Sequence, residues 1–269
     1  MNHLWVRQVI GMLRLELKKN LFSFRAVPIY LLAGLPVAFV ALVVVVSLIA
    51  GAPPELESAA GVPLFYAHIY QFVLRLVIFF GCVWIFVNLF RGEVLDRSLH
   101  YYFLTPVRRE VLVAGKYISA VISVSILLCC STLVSFVAIY AFPGSSGILQ
   151  ASAIGHLIAY LGVTALACLG YGAMFLLVGL FFKNPLVPAL IIFLWEGLNP
   201  LLPGLLKKIS LIFYLQSLFP VPIPEGPFAV IVEPVSAWIG VPGLLLFTAL
   251  ILLVAGFRIR GMEIAYGSD

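Results

Sequence analysis

The chain has 269 residues, of which 63% are hydrophobic and only 10% are charged, and its mean hydropathy is +1.16. A soluble domain carries about 25% charged residues, so this composition indicates a polytopic membrane protein without a separate soluble domain. The net charge of +5 does not indicate nucleic-acid binding, because the basic residues flank apolar runs. Four cysteines lie inside those runs without CxxC spacing, which favours buried free thiols over disulfides or a metal site.

The N-terminal stretch 4–24 is amphipathic. Leucines and an isoleucine share it with basic residues at helical spacing, and no apolar run in it is long enough to span a membrane. The pattern predicts a helix in the membrane interface, anchored among the lipid headgroups by Trp5, Arg14 and Lys18. The alternative is a positively charged topology anchor, and both interpretations place the N-terminus in the cytoplasm.

Six apolar runs follow, each close to the roughly 20 residues that a membrane helix needs. They lie at 27–50, 69–90, 115–141, 154–182, 186–203 and 238–257. With the N-terminus inside, thirteen of the sixteen lysines and arginines fall in cytoplasmic segments. The sequence therefore predicts an all-α membrane protein with six spans and with both termini in the cytoplasm.

The connection 91–116 between the second and third runs is the most strongly charged segment between two apolar runs. It contains five basic residues (Arg91, Arg97, Arg108, Arg109 and Lys116) and three acidic ones (Glu93, Asp96 and Glu110). Pro106 disfavours helical geometry at Thr105 and lacks an N–H donor, so we expect a helix, a break and a second helix. This arrangement predicts a structured cytoplasmic platform.

The segment 204–237 before the last run is apolar and rich in proline, and its prolines exclude a clean span. Its aromatic residues suit the membrane interface. We expect this segment and the end of the fifth run to form a re-entrant hairpin and cap on the external side. An ordinary loop is the alternative.

Two ionisable residues, Arg75 and Glu196, lie within apolar runs. Counted from the ends of those runs, they lie at similar depths of about 9 and 10 Å. Because unpaired charges at that depth are costly, we expect the two side chains to pair or to line one polar cavity. Such a pair is a candidate substrate or gating site. It is equally explained by an ion pair that fixes helix packing, or by Arg75 extending alone towards the interface.

Sequence motifs for chemistry are absent. The four histidines are scattered, no GxSxG or SxxK motif offers a nucleophile, and Gly115-Lys116 lacks the rest of a phosphate-binding loop. If nucleotide hydrolysis powers the protein, we expect another chain to perform it. Small residues on the fourth run, including Gly155, Gly162 and Gly172, permit close helix packing.

The layout resembles the ABC-2-type permeases, the membrane subunits of ATP-binding-cassette exporters, over essentially the whole chain. The resemblance rests on the amphipathic N-terminal helix, the six runs, the apolar segment before the last run and above all the pattern GEVLDRSLHYYFLTPVRREVLVAGKYISA. In such permeases this connection includes a coupling helix that docks on the ATPase subunit. The resemblance implies a coupling helix from Glu93 to Tyr102, with Glu93, Asp96 and Arg97 as polar contacts and with Leu95, Leu99 and Tyr102 on its apolar side.

The same resemblance implies an assembly in a bacterial inner membrane. Two permease chains, as a homodimer or with a sister permease, would form the transport path, and separate ATPase subunits would bind ATP and Mg²⁺. The mechanism would be alternating access or the opening of a narrow hydrophobic passage. The sequence does not choose among lipids, polysaccharides, drugs, peptides and ions as cargo.

Two other classes of function compete with this interpretation. A membrane-embedded enzyme would use Arg75 and Glu196, with His68 or His156, in one converging polar site. A non-transporting regulator with the permease fold would bind an ATPase without moving cargo. A secondary transporter fits less well, because we find neither clear inverted repeats nor many intramembrane polar residues.

Overall fold

The computed structural model of the protein describes residues 11, 13, 16–23, 26–51, 56, 58, 61–95, 109–141, 150–223, 229–230 and 232–260. All regular structure in these ranges is helical, and five helices are long and apolar enough to cross a membrane. The predicted all-α membrane fold is thereby confirmed.

The described residues form a series of helices. In chain order they are α1 (16–22), α2 (Val27–Ala50), α3 (Gly61–Leu95), α4 (Arg109–Tyr140), α5 (Ala151–Phe181), α6 (Leu186–Gly197), α7 (Gly204–Lys207), α8 (Leu211–Ser217) and α9 (Ala237–Arg260). Helix α3 consists of α-helical parts Gly61–Phe72 and Phe79–Leu95, which a π-helical segment, Val73–Ile78, joins. A short 3₁₀ turn, Asn199–Leu201, follows α6. Helix α2 ends at Gly51, whose φ of +91° is a conformation that glycine adopts at little cost.

Helix α5 lies at the centre of the bundle and packs against α3, α4, α8 and α9, while α2 packs mainly on α4. Glycines allow the closest of these contacts. A Cβ atom at Gly172 would lie 2.5 Å from the Phe86 ring, and one at Gly179 would lie 2.9 Å from the Val87 carbonyl oxygen. Gly155 and Gly162 have no such neighbour. Among these glycines of α5, Gly172 and Gly179 therefore serve close packing against α3, and Gly155 and Gly162 do not.

The long helices extend beyond the apolar runs that predict them. The second run was predicted at 69–90, but α3 begins at Gly61 and continues to Leu95. The third was predicted from 115, and α4 begins at Arg109. The residue Pro63 does not oppose the early start of α3, because proline is compatible with the first turn of a helix. Both helices therefore continue into the charged residues that flank the apolar runs. Hydropathy alone assigns these residues to the connection between the two helices.

The run predicted at 186–203 does not form one continuous helix. Helix α6 ends at Gly197 after 12 residues, because Pro200 lacks an N–H group and its ring opposes helical geometry in the preceding turn. The chain then makes the 3₁₀ turn, α7 and α8. The total of six membrane crossings stays a prediction, because the segment that corresponds to the predicted fifth run is interrupted.

Candidate functional site between two half-helices

Helices α6 and α8 together run along α5. The link after α5 is short, so α6 starts beside the C-terminal end of α5. A Cβ at Gly170 would lie 2.8 Å from Leu211 Cδ2 at the start of α8, and the Phe219 ring just after α8 lies 6.0 Å from that of Tyr160. At 1.5 Å per residue, α6 is about 18 Å long and does not cross a hydrocarbon core of about 30 Å alone. The two helices are therefore half-helices in series, with a break near the middle of α5.

The carboxylate of Glu196 lies at this break and is 5% exposed. Its Oε1 accepts a hydrogen bond from Leu211 N at 3.0 Å, and its Oε2 accepts one from Ile212 N at 2.8 Å. The hydroxyl of Tyr171 on α5 donates to Oε2 at 3.1 Å. A negative charge at a helix N-terminus is favourable, because the first N–H groups have no partner within their own helix. One side chain of α6 therefore holds both α8 and α5.

The chain between the half-helices is fastened by buried polar groups. Asn199 Nδ2 donates to the Lys207 carbonyl at 3.1 Å, and Lys207 Nζ donates to the Val230 carbonyl at 3.0 Å. The Val230 N–H in turn donates to the Pro200 carbonyl at 3.0 Å. The side chains of Asn199 and Lys207 are both at most 1% exposed. Non-helical backbone within a membrane protein needs such internal partners, and here the segment after α8 supplies some of them.

Arg75 lies in the π-helical segment of α3 and is half-buried. Because α3 begins at Gly61, Arg75 is about 21 Å along the helix from its start. π-Helical turns are uncommon and are frequent at functional sites. The sequence gives no direct sign of this segment.

Arg75 and Glu196 line the same cavity of about 190 Å³. Its other walls are Phe72, Leu76, Phe79, Tyr171, Phe193, Gly197 and Ile212. The Phe79 ring lies 5.3 Å from each of the Phe193 and Tyr171 rings, so aromatic contacts connect α3, α5 and α6 around it. The cavity is mainly apolar, with two charged groups and a tyrosine. A direct ion pair between Arg75 and Glu196 stays a prediction.

The cavity is suited to binding rather than to bond chemistry. His68 Nδ1 lies 2.9 Å from the Leu64 carbonyl and His156 Nδ1 lies 3.4 Å from the Tyr140 hydroxyl, and neither histidine lines the cavity. No group of three metal-ligating side chains occurs in the part of the chain that the structure describes. The convergence that an embedded enzyme would need is not found among these residues.

The predicted coupling and anchor residues are only partly within the structure. Glu93 and Leu95 belong to the last turns of α3, so the predicted helix 93–102 begins inside α3. Lys18 is exposed on α1. The remaining predicted residues lie outside the described ranges: Asp96, Arg97, Leu99, Tyr102, Trp5 and Arg14.

Sequence reasoning missed Glu16, which forms a buried ion pair with Lys116 at 2.5 Å. A signal was present, because Glu16 is the only acidic residue in 4–24. An acid among apolar residues on a basic amphipathic helix requires a partner when that face is buried.

A second missed feature is an aromatic cluster between α3, α4 and α5. The Tyr70 ring lies 4.5 Å from that of Tyr160, and its hydroxyl donates to the Tyr160 carbonyl at 2.9 Å. The Tyr66 hydroxyl donates to the Thr132 carbonyl at 3.1 Å. Phe219 covers Tyr70 at 5.3 Å. The spacing of Tyr66 and Tyr70 by four residues indicates one helix face, but it does not identify the partners.

Comparison with known proteins gives one family. A sequence model described as ABC-2 family transporter protein matches residues 13–196. This range includes α2 to α5, most of α6, and both Arg75 and Glu196. No curated protein and no solved structure matches the chain significantly.

Proposed function

The chain belongs to the ABC-2 family of transporter proteins, and we propose that it is the permease half of a bacterial exporter that a separate ATPase subunit powers. The observation that carries this proposal is the family match across residues 13–196 in a chain whose described part contains five apolar, membrane-length helices. A permease is a transport component, and ATP and Mg²⁺ would bind to the partner chain.

The connection between α3 and α4 is the proposed docking site of the ATPase. Both helices continue past their apolar cores at the same end of the bundle, α3 to Leu95 and α4 from Arg109. The ends of the two helices therefore flank the charged connection. This arrangement suits a contact through which the ATPase displaces the permease. Residues Glu93 to Tyr102 would form the coupling helix.

The topology and assembly are also proposals. Counting α6 and α8 as one interrupted crossing gives six crossings, with both termini in the cytoplasm of a bacterial inner membrane. Apolar side chains of α6 such as Leu190, Ile191 and Leu194 are exposed, and so are most of those on α2 and α9. These faces support contacts with lipids and with a second permease chain, most simply as a homodimer.

The cavity between α3 and α6 is the proposed contact region for cargo. Apolar walls with one basic and one acidic side chain suit a molecule that combines an apolar body with a polar group. This chemistry does not choose one cargo class.

Replacing Glu93 with alanine tests the coupling assignment. A lost hydrogen bond to a charged group costs about 1.5–3 kcal/mol, which corresponds to about tenfold weaker docking or more. We expect the permease with Glu93→Ala to bind and stimulate the ATPase more weakly in reconstituted vesicles. The control is Glu233→Ala, because Glu233 is exposed just before α9, at the end of α9 away from the basic residues Arg258 and Arg260. Equal docking and stimulation by both variants would remove the coupling assignment.

A further inference from the structure

The ion pair between Glu16 and Lys116 is buried, with 4% and 0% of the two side chains exposed. It joins α1 to the first turns of α4, seven residues after Arg109. The ammonium group of Lys116 also lies 5.8 Å above the Phe90 ring of α3. The pair therefore lies where α1 meets the end of α3 and the start of α4, on both sides of the connection between them.

Helix α1 is also fixed to α2. The Tyr30 hydroxyl of α2 donates to the Leu21 carbonyl of α1 at 2.9 Å, and Ala26 N donates to the Ser23 carbonyl at 2.9 Å across the turn between them. A displacement of α1 is thereby passed to the start of the first long helix.

Apolar contacts are non-directional, so two helices that share only such contacts can slide past each other. A buried ion pair behaves differently, because separating the charges would leave each of them without a partner in a poorly polarisable environment. The charged hydrogen bond also fixes the two atoms at one distance. Glu16 and Lys116 must therefore stay together whenever α4 moves.

We propose that the Glu16–Lys116 pair is the joint that makes α1 move with α4, so that a displacement of the connection between α3 and α4 reaches the N-terminal helix and α2. This inference rests on the proposed function, since it takes the ATPase to be the source of the displacement. It adds Glu16 and Lys116 as positioning residues outside the coupling helix.

Hydrogen exchange of the permease–ATPase complex tests the joint, with and without a non-hydrolysable ATP analogue and Mg²⁺. In the natural chain we expect the nucleotide to change exchange both in the connection 91–109 and in α1. The informative variant combines Glu16→Gln with Lys116→Met, which removes both charges, keeps similar volumes and leaves no buried charge unpaired. We expect it to keep the nucleotide response of the connection and to lose that of α1.

Two further variants serve as controls. Reversal of the pair, Glu16→Lys with Lys116→Glu, restores the α1 response, and Phe22→Leu at an exposed position of α1 leaves it unchanged. A full α1 response in the neutral double variant would overturn the inference, as would a natural chain in which the connection responds and α1 does not. If the connection itself shows no response in the natural chain, the proposed function fails, and the inference fails with it.

Discussion

The Glu196 carboxylate joins the half-helices α6 and α8 to each other and to α5. It lies in the last turn of α6, accepts hydrogen bonds from the first two N–H groups of α8, and accepts one from the Tyr171 hydroxyl of α5. Its negative charge is compensated by donors that the fold places around it, which explains how an acid is tolerated inside an apolar bundle.

Replacement of Glu196 by alanine should destabilise the protein strongly. It would leave two backbone N–H groups and the Tyr171 hydroxyl buried without their acceptor, at about 1–3 kcal/mol for each group. Tyr171→Phe removes one donor only and should cost less, about 1.5 kcal/mol, the lower end of the range for a hydrogen bond to a charged group. The free energy of unfolding in detergent micelles measures both effects. Glu233→Ala, at an exposed position, should change it by less than about 0.5 kcal/mol. A Glu196→Ala variant as stable as Glu233→Ala would disprove this role.

At this scale the sequence predicts which residues are unusual but not what they contact. Arg75 and Glu196 stand out because charges are rare in apolar runs. Tyr171 and Leu211 do not stand out, because an ordinary aromatic and an ordinary leucine become partners only through contacts 25 and 15 residues away. Glu16 and Lys116 are 100 residues apart, and only the packing of α1 on α4 joins them.

Among the elements, α5 organises the bundle through a glycine face in its C-terminal half. Gly172 and Gly179 are seven residues apart, about two helical turns, and both face α3. The Val87 backbone at Gly179 cannot move aside as a flexible side chain can. This contact fixes the distance between the two helices.

Gly179→Ala and Gly162→Ala should therefore have opposite effects. The added methyl group at Gly179 would lie 2.9 Å from the Val87 oxygen, and overpacking of this kind costs about 1–3 kcal/mol. At Gly162 nothing lies within 4 Å, so alanine should gain up to about 1 kcal/mol from its helix propensity. Thermal unfolding in the same detergent compares the two variants. A neutral or stabilising Gly179→Ala would contradict the close approach of α3 and α5.

Helix existence was easier to predict than helix limits. The run at 27–50 and the helix Val27–Ala50 coincide, because apolar sequence and helix end together at Gly51. Helices α3 and α4 exceed their runs, because charged residues at the membrane surface continue a helix without raising hydropathy. The prolines of 204–237 predicted that no clean span forms before the last run, but not that α8 returns to the central helix.

At the scale of the whole molecule, the two proposed functional regions lie at different positions along the helix bundle. The connection between α3 and α4, with the Glu16–Lys116 pair at its base, lies at one end. The cavity lined by α3, α5, α6 and α8 lies near the middle of α5. The proposed energy input therefore lies at one end and the proposed cargo contact in the middle, and α3 connects the two directly because it carries both Arg75 and Glu93.

Purification of the chain from its native host in mild detergent, with identification of the proteins that accompany it, is the decisive test of the proposed permease function. We expect a stoichiometric ATPase of the ATP-binding-cassette type, which is lost when Glu93→Lys and Asp96→Lys reverse the charge of the coupling segment. If the chain purifies without any ATPase in several detergents, the proposed function is wrong.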